Sequence, residues 1–124
     1  MVEEASEMDV LVVDDQPTFR AVARTLVGLT PGLRVAAEAE SGEQAVELAG
    51  RIHPPVVLMD INLPGISGIE ATRLLREHDP SVTVILMSTY AAADLPADAM
   101  DSGAVGYVRK EDLTPAALTA LLPD

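Results

Sequence analysis

The sequence predicts an α/β domain: a five-stranded parallel sheet in the order 2-1-3-4-5, flanked by five helices. Two observations predict it. Short apolar runs alternate five times with stretches of helical period along the 124 residues, and a repeated βα unit implies parallel strands joined by right-handed crossovers. The runs also differ in kind. Val10 to Val13, Val56 to Met59 and Val82 to Met87 are near-continuously apolar, as strands buried on both faces are. Leu33 to Ala37 and Ala104 to Val108 are interrupted by Arg34 and Gly106, which places strands two and five at the edges.

Residues 1–8 read as an acidic, frayed leader, leaving one domain over residues 9–124. The first strand, Val10 to Val13, is bounded by Asp9 and by Asp14-Asp15. The next helix carries Phe19, Val22, Ala23 and Leu26 at helical spacing, with Pro17 in its first turn. Thr30-Pro31-Gly32 stops it. After the second strand, Ser41 to Gln44 fits a capping box. That second helix buries Ala45, Leu48, Ala49 and Ile52, and His53-Pro54-Pro55 ends it. The third strand runs into Asp60-Ile61-Asn62-Leu63-Pro64-Gly65, and a helix from Ser67 to His78 follows. The fourth strand delivers Ser88-Thr89-Tyr90 at its end. A fourth helix is expected within Ala91 to Ser102, starting near or broken at Pro96. The fifth strand ends in Arg109-Lys110, and Thr114-Pro115 opens a last helix with Leu118, Leu121 and Leu122 inward.

Bulk properties narrow the function. Hydrophobic residues make up 48% of the chain and aromatics 2%, so the core must be aliphatic. The absence of cysteine removes disulfides and thiolate metal sites and fits a reducing cytoplasm. No apolar run approaches the ~20 residues of a membrane span. A formal net charge of −12 argues against direct nucleic-acid binding, because phosphate contacts dominate such affinity.

In open α/β sheets the ligand site lies beyond the carboxyl ends of the strands, where the strand order reverses. Here that crevice falls between strands one and three. Asp14 and Asp15 end the first, Asp60 the third, Ser88 the fourth and Lys110 the fifth. Taken singly, each has an ordinary explanation. Asp14-Asp15 would cap a helix, Asp60 would form a turn, Ser88 would cap, and Lys110 would be solvated. Tyr107 reads as a half-buried edge-strand aromatic, and His53 and His78 as surface residues without metal-ligand spacing. Coincidence at one sheet edge favours a site. Three carboxylates about 5 Å apart would repel by about 3 kcal/mol per pair at an effective dielectric of about 20. Lys110 and a divalent cation could offset that, and an oxygen-only ligand set favours magnesium or a similar hard ion.

The chain resembles the receiver domains of bacterial two-component response regulators, over almost its full length and with their flavodoxin-like fold. The residues that carry the likeness are Val-Val-Asp14-Asp15, Leu-Met-Asp60-Ile-Asn-Leu-Pro64-Gly65 with Gly68, Met-Ser88-Thr-Tyr, and Gly103-Ala-Val-Gly-Tyr107-Val-Arg-Lys110. Lys110-Glu111 and the run Glu-Ala-Glu-Ser-Gly-Glu-Gln-Ala are most like the NarL/LuxR type. The resemblance implies Asp60 as phosphoacceptor, with Lys110 and Ser88 serving the phosphoryl group. It implies magnesium on Asp15 and Asp60, on Asp14 through water, and on the backbone carbonyl of Asn62. It further implies a Ser88–Tyr107 switch acting on the surface of helix four, strand five and helix five. The implied partners are a sensor histidine kinase or phosphotransfer protein and an output domain or downstream protein, with homodimerisation possible, in the cytoplasm and away from membranes. Such a protein is no enzyme beyond catalysing its own phosphorylation and dephosphorylation. Neither Asn62 nor Tyr90 is an obvious general base, so self-dephosphorylation is expected to be slow. Two other classes share features. A haloacid-dehalogenase-type phosphohydrolase would require a second acid where Asn62 stands, and a pseudo-receiver would not retain all five polar positions.

Overall fold

A computed structural model describes residues 7–89 and 95–123. Its strands are β1 (Met8–Val13), β2 (Leu33–Ala39), β3 (Val56–Asp60), β4 (Thr83–Ser88) and β5 (Gly106–Arg109). They form one parallel sheet in the order β2-β1-β3-β4-β5. The helices are α1 (Pro17–Gly28), α2 (Gly42–Ile52), α3 (Gly68–His78) and α4 (Pro115–Leu121).

The pleat sorts each central strand between two cores. Leu11, Val13, Val57, Met59, Val84 and Leu86 face α2 and α3, where they meet Ala45, Ile69, Ala71 and Leu75. Val10, Val12, Val56, Leu58, Ile85 and Met87 face the other way, onto Ala23 and Val27 of α1 and Leu118 of α4. Burial on both faces explains why Val10 to Val13, Val56 to Met59 and Val84 to Met87 carry no polar residue. Edge strand β2 mixes exposed and buried positions, and Arg34 there pairs with Asp9, its register partner on β1.

The helix starts follow their caps. Ser41 Oγ accepts from Gln44 N (3.1 Å), Ser67 Oγ from Glu70 N (3.2 Å) and Thr114 Oγ1 from Ala117 N (3.0 Å). The return arm of the α2 capping box lands one residue early, with Glu40 N donating to Gln44 Oε1. On α1 the buried face runs through Ala23 and Val27, while Val22, expected inward, is 44% exposed.

Two further expectations are corrected. β1 begins at Met8, inside the expected leader, because Met8 N donates to Gly32 O and Met8 registers with Leu33. Four α-helices, not five, are present among the described residues. Part of the expected fourth helix lies outside them, and its described end is a single 3₁₀ turn, Met100–Ser102. Pro96 can donate no backbone bond, and the turn closes with i→i+3 bonds, Ala99 N to Pro96 O and Ser102 N to Ala99 O. Ser102 Oγ also donates to Ala99 O (2.6 Å), so the side chain competes for a carbonyl that an α-helix would use.

Candidate functional site

β1 and β3 lie side by side, and each ends in acid. Asp14 directly follows β1 and is fully buried, Asp15 is exposed, and Asp60 closes β3 with 3% of its surface accessible. The three carboxylates offer oxygens that all lie within 4.8 Å of one another. Lys110, the residue after β5, reaches this group from the far side of β4. Its Nζ stands 2.6 Å from Asp14 Oδ2 and 3.4 Å from Asp60 Oδ2, and its side chain is only 10% exposed. The same Nζ lies 4.5 Å from the centre of the Phe19 ring.

Backbone contacts hold the acids in place. Asp14 N donates to Ala39 O, Asp14 Oδ1 accepts from Gln16 N (2.8 Å), and its carbonyl accepts from Arg20 Nη1 (2.6 Å). Arg20 is itself held by Glu38 on β2. Asp60 Oδ1 accepts from Asn62 N (3.2 Å), and Ile61 N donates to Met87 O on β4. Gly68 packs against the end of β3 so closely that a Cβ there would stand 2.0 Å from the Asp60 carbonyl oxygen. Only glycine allows α3 to begin at this point.

Burial pushes the Asp60 carboxyl up from its ordinary value to about 6. The neighbouring Asp14 charge adds to that rise, while Lys110 and the Asn62 N–H draw it back. Asp14 Oδ2 is buried without an aligned hydrogen-bond donor, so its charge is met by the Lys110 ion pair alone. A buried carboxylate oxygen held by an ion pair, with oxygens of two more carboxylates within 4.8 Å, suits a hard, oxygen-seeking cation. A hollow of about 230 Å³ opens above these groups, lined by Asp15, Gln16, Asp60, Asn62, Thr89 and Lys110. A larger one of about 380 Å³ lies at the opposite end of the sheet between α2 and α3. Its walls are mainly apolar, including Val46, Ala49, Leu75 and Val82, and none of the three clustered carboxylates is there.

Of the residues singled out from sequence, Asp14, Asp15, Asp60 and Lys110 converge, and Asn62 lines the opening above them. Ser88 sits at the same edge but is fully buried, whereas Thr89 after it is exposed. Strand alternation turns it toward the α3 side, with Tyr107. The Tyr107 hydroxyl donates to the Ser88 carbonyl at 3.4 Å. Tyr90 lies outside the described residues. His53 and His78 are exposed, as expected. Sequence reasoning missed Phe19 and Arg20, because helical spacing marked Phe19 as ordinary core and nothing marked Arg20.

The chain matches the family model described as response regulator receiver domain over residues 10–122. It belongs to that family. The receiver is 36% identical over 106 residues to the transcriptional regulatory protein DegU of Brevibacillus brevis, covering 86% of this chain and 45% of that protein. It is 36% identical over 108 residues to the nitrate/nitrite response regulator NarP of Escherichia coli, covering 87% and 50%. A solved two-component response regulator of the LuxR family from Aurantimonas superposes with a TM-score of 0.82 at 36% identity, covering 93% of this chain and 81% of that one. These likenesses place the receiver with the NarL/LuxR type. The chain spans about half the length of the curated relatives it matches. Membership ties the domain to phosphorylation-based signalling. Among the described residues no helix is long and apolar enough to cross a membrane.

Proposed function

We propose that this receiver accepts a phosphoryl group on Asp60 from a sensor histidine kinase or phosphotransfer protein. The observation that carries the reading is Lys110 Nζ lying between Asp14 Oδ2 and Asp60 Oδ2, at the mouth of a small polar hollow. An Asp60 carboxylate oxygen attacks phosphorus, an O–P bond forms, and the N–P bond to the donor imidazole breaks. The departing imidazole keeps the electron pair of that bond and takes a proton. Lys110 meets the negative charge gathered on the phosphoryl oxygens, and preorganised positive charge in a partly dry crevice is the main catalytic term available.

Asp14, Asp15, Asp60 and the Asn62 carbonyl would hold magnesium. The bound ion supplies further positive charge against the transferring group. The chain thus catalyses only its own modification. Its phosphorylated form is read through Ser88 and Tyr107 on the surface made by the β4–β5 connection, β5 and α4. Ser88 turns to the phosphoryl group, Tyr107 takes up the space released, and an output domain or downstream partner responds. That surface could also pair two copies. No direct contact of this domain with nucleic acid or membrane is proposed, and its setting is the cytoplasm.

Incubation with acetyl phosphate and magnesium, followed by intact mass measurement, tests the assignment. Wild type gains one phosphoryl group and Asp60→Asn gains none; equal labelling of both refutes it. With Asn62 exposed beside the acceptor and neither Asn62 nor Tyr90 a general base, loss of the label takes minutes or longer. A half-life of seconds contradicts that part.

A further inference from the structure

We propose that Phe19 is a positioning residue for phosphoryl transfer: its ring face holds the Lys110 ammonium above the crevice between Asp14 and Asp60. The inference rests on the receiver reading above and adds a residue to it. Lys110 is a flexible four-carbon stem that starts beyond β5 and must keep its charge over the end of β3, two strands away. Its Nζ touches Asp14, Asp60 and the Phe19 ring, and the side chain is nearly excluded from water.

The two carboxylates alone do not fix where the ammonium sits, because either can hold it. The ring supplies a third contact from α1, and a cation over an aromatic face is held more tightly when water is excluded. A neutral ring also differs from a third carboxylate in adding no further negative charge around the lysine, which would compete with incoming phosphoryl oxygens. Composition supports a role beyond packing. The chain has one Phe, two Tyr and no Trp, and the core is otherwise aliphatic. Phe19 lies one turn before Ala23 on the inward side of α1, only half-buried. An aliphatic residue would fill such a place, yet the sole phenylalanine stands there, against this lysine.

The test compares wild type, Phe19→Leu and Phe19→Tyr in acetyl phosphate and magnesium. Phe19→Leu, at an unchanged melting temperature, should phosphorylate about 5-fold more slowly and bind beryllofluoride about 5-fold more weakly. Phe19→Tyr should remain within about twofold of wild type, since it keeps the ring face. In NMR spectra the Lys110 ε-methylene protons should be shifted upfield by the ring in wild type and Phe19→Tyr, and return to ordinary positions in Phe19→Leu. Because Phe19 is the only phenylalanine, global 4-fluorophenylalanine incorporation alters this ring alone. It draws charge from the face while keeping the shape, and should slow labelling by about twofold. That experiment holds even if Phe19→Leu loses its fold. Wild-type rates in Phe19→Leu or in the fluorinated protein, or unshifted Lys110 protons in wild type, overturn the inference while leaving Asp60 as acceptor. If wild type takes no phosphoryl group, the receiver reading falls and this inference falls with it.

Discussion

The two halves of the sheet's carboxyl edge are built differently. At the ends of β1 and β3, two buried carboxylates are pinned by short contacts: Asp14 by Ala39, Gln16 and the Arg20 side chain, and Asp60 by Asn62, while the next residue, Ile61, donates to Met87 O. At the ends of β4 and β5, a buried serine and a half-buried tyrosine meet through a long 3.4 Å hydrogen bond. The connection beside them includes a 3₁₀ turn, and β5 is only four residues long. On the proposed reading, charge is received where the structure is most constrained. The response is expected where the elements are shortest and least regular, since such regions open at lower free energy.

Breaking the constrained half should cost most. Gly68→Ala forces a methyl group into the Asp60 carbonyl oxygen, and neither partner is a flexible side chain. Loss of about 3 kcal/mol in urea unfolding is expected, together with slowed acetyl phosphate labelling. A stable, normally labelled Gly68→Ala protein would show that the end of β3 is not rigid.

The buried charge itself gives the next effect. The Asp60 carboxyl stands near 6 when folded against an ordinary 3.8, so the folded domain binds more protons than the unfolded chain between those values. The contribution of Asp60 to stability then falls as pH rises from about 4 to 6 and stays reduced above 6. Asp60→Asn removes the penalty and should raise metal-free stability by about 2 kcal/mol at pH 8, with the gain gone by about pH 4. Magnesium at pH 8 should stabilise wild type more than the variant. A pH-independent difference between the two would contradict this account of Asp60.

The smallest effect belongs to the other half. Tyr107→Phe removes the hydroxyl that donates to the Ser88 carbonyl across 3.4 Å and should change unfolding free energy by less than about 1 kcal/mol. It should leave the labelling rate near wild type while altering the response of the β5–α4 surface. A loss as large as that of Gly68→Ala would erase the contrast between the halves.

Much of the fold was legible because burial on both faces writes itself as continuous apolar runs. That distinction alone separated β1, β3 and β4 from the edges. The four charged residues could be brought together from their places at strand ends, with no side-chain geometry. Other features left no such trace. Met8 joins β1 through register with Leu33, a partner far along the chain that local composition cannot reveal. The segment after Pro96 carries helix-forming alanines, yet Ser102 and the missing proline donor tighten its described end into a 3₁₀ turn. Phe19 and Arg20 were hidden for a third reason. Their value depends on how α1 is rotated over the crevice, and helical spacing had placed Val22 inside, where the structure turns it out.

The contrast between the halves is tested most directly by amide spectra of the domain before and after phosphorylation with acetyl phosphate and magnesium. The account predicts large shifts at Ser88, Tyr107 and the residues between β4 and β5, with Val56 to Met59 nearly unchanged. Shifts confined to Asp14, Asp60 and Lys110, with Ser88 and Tyr107 unmoved, would contradict it.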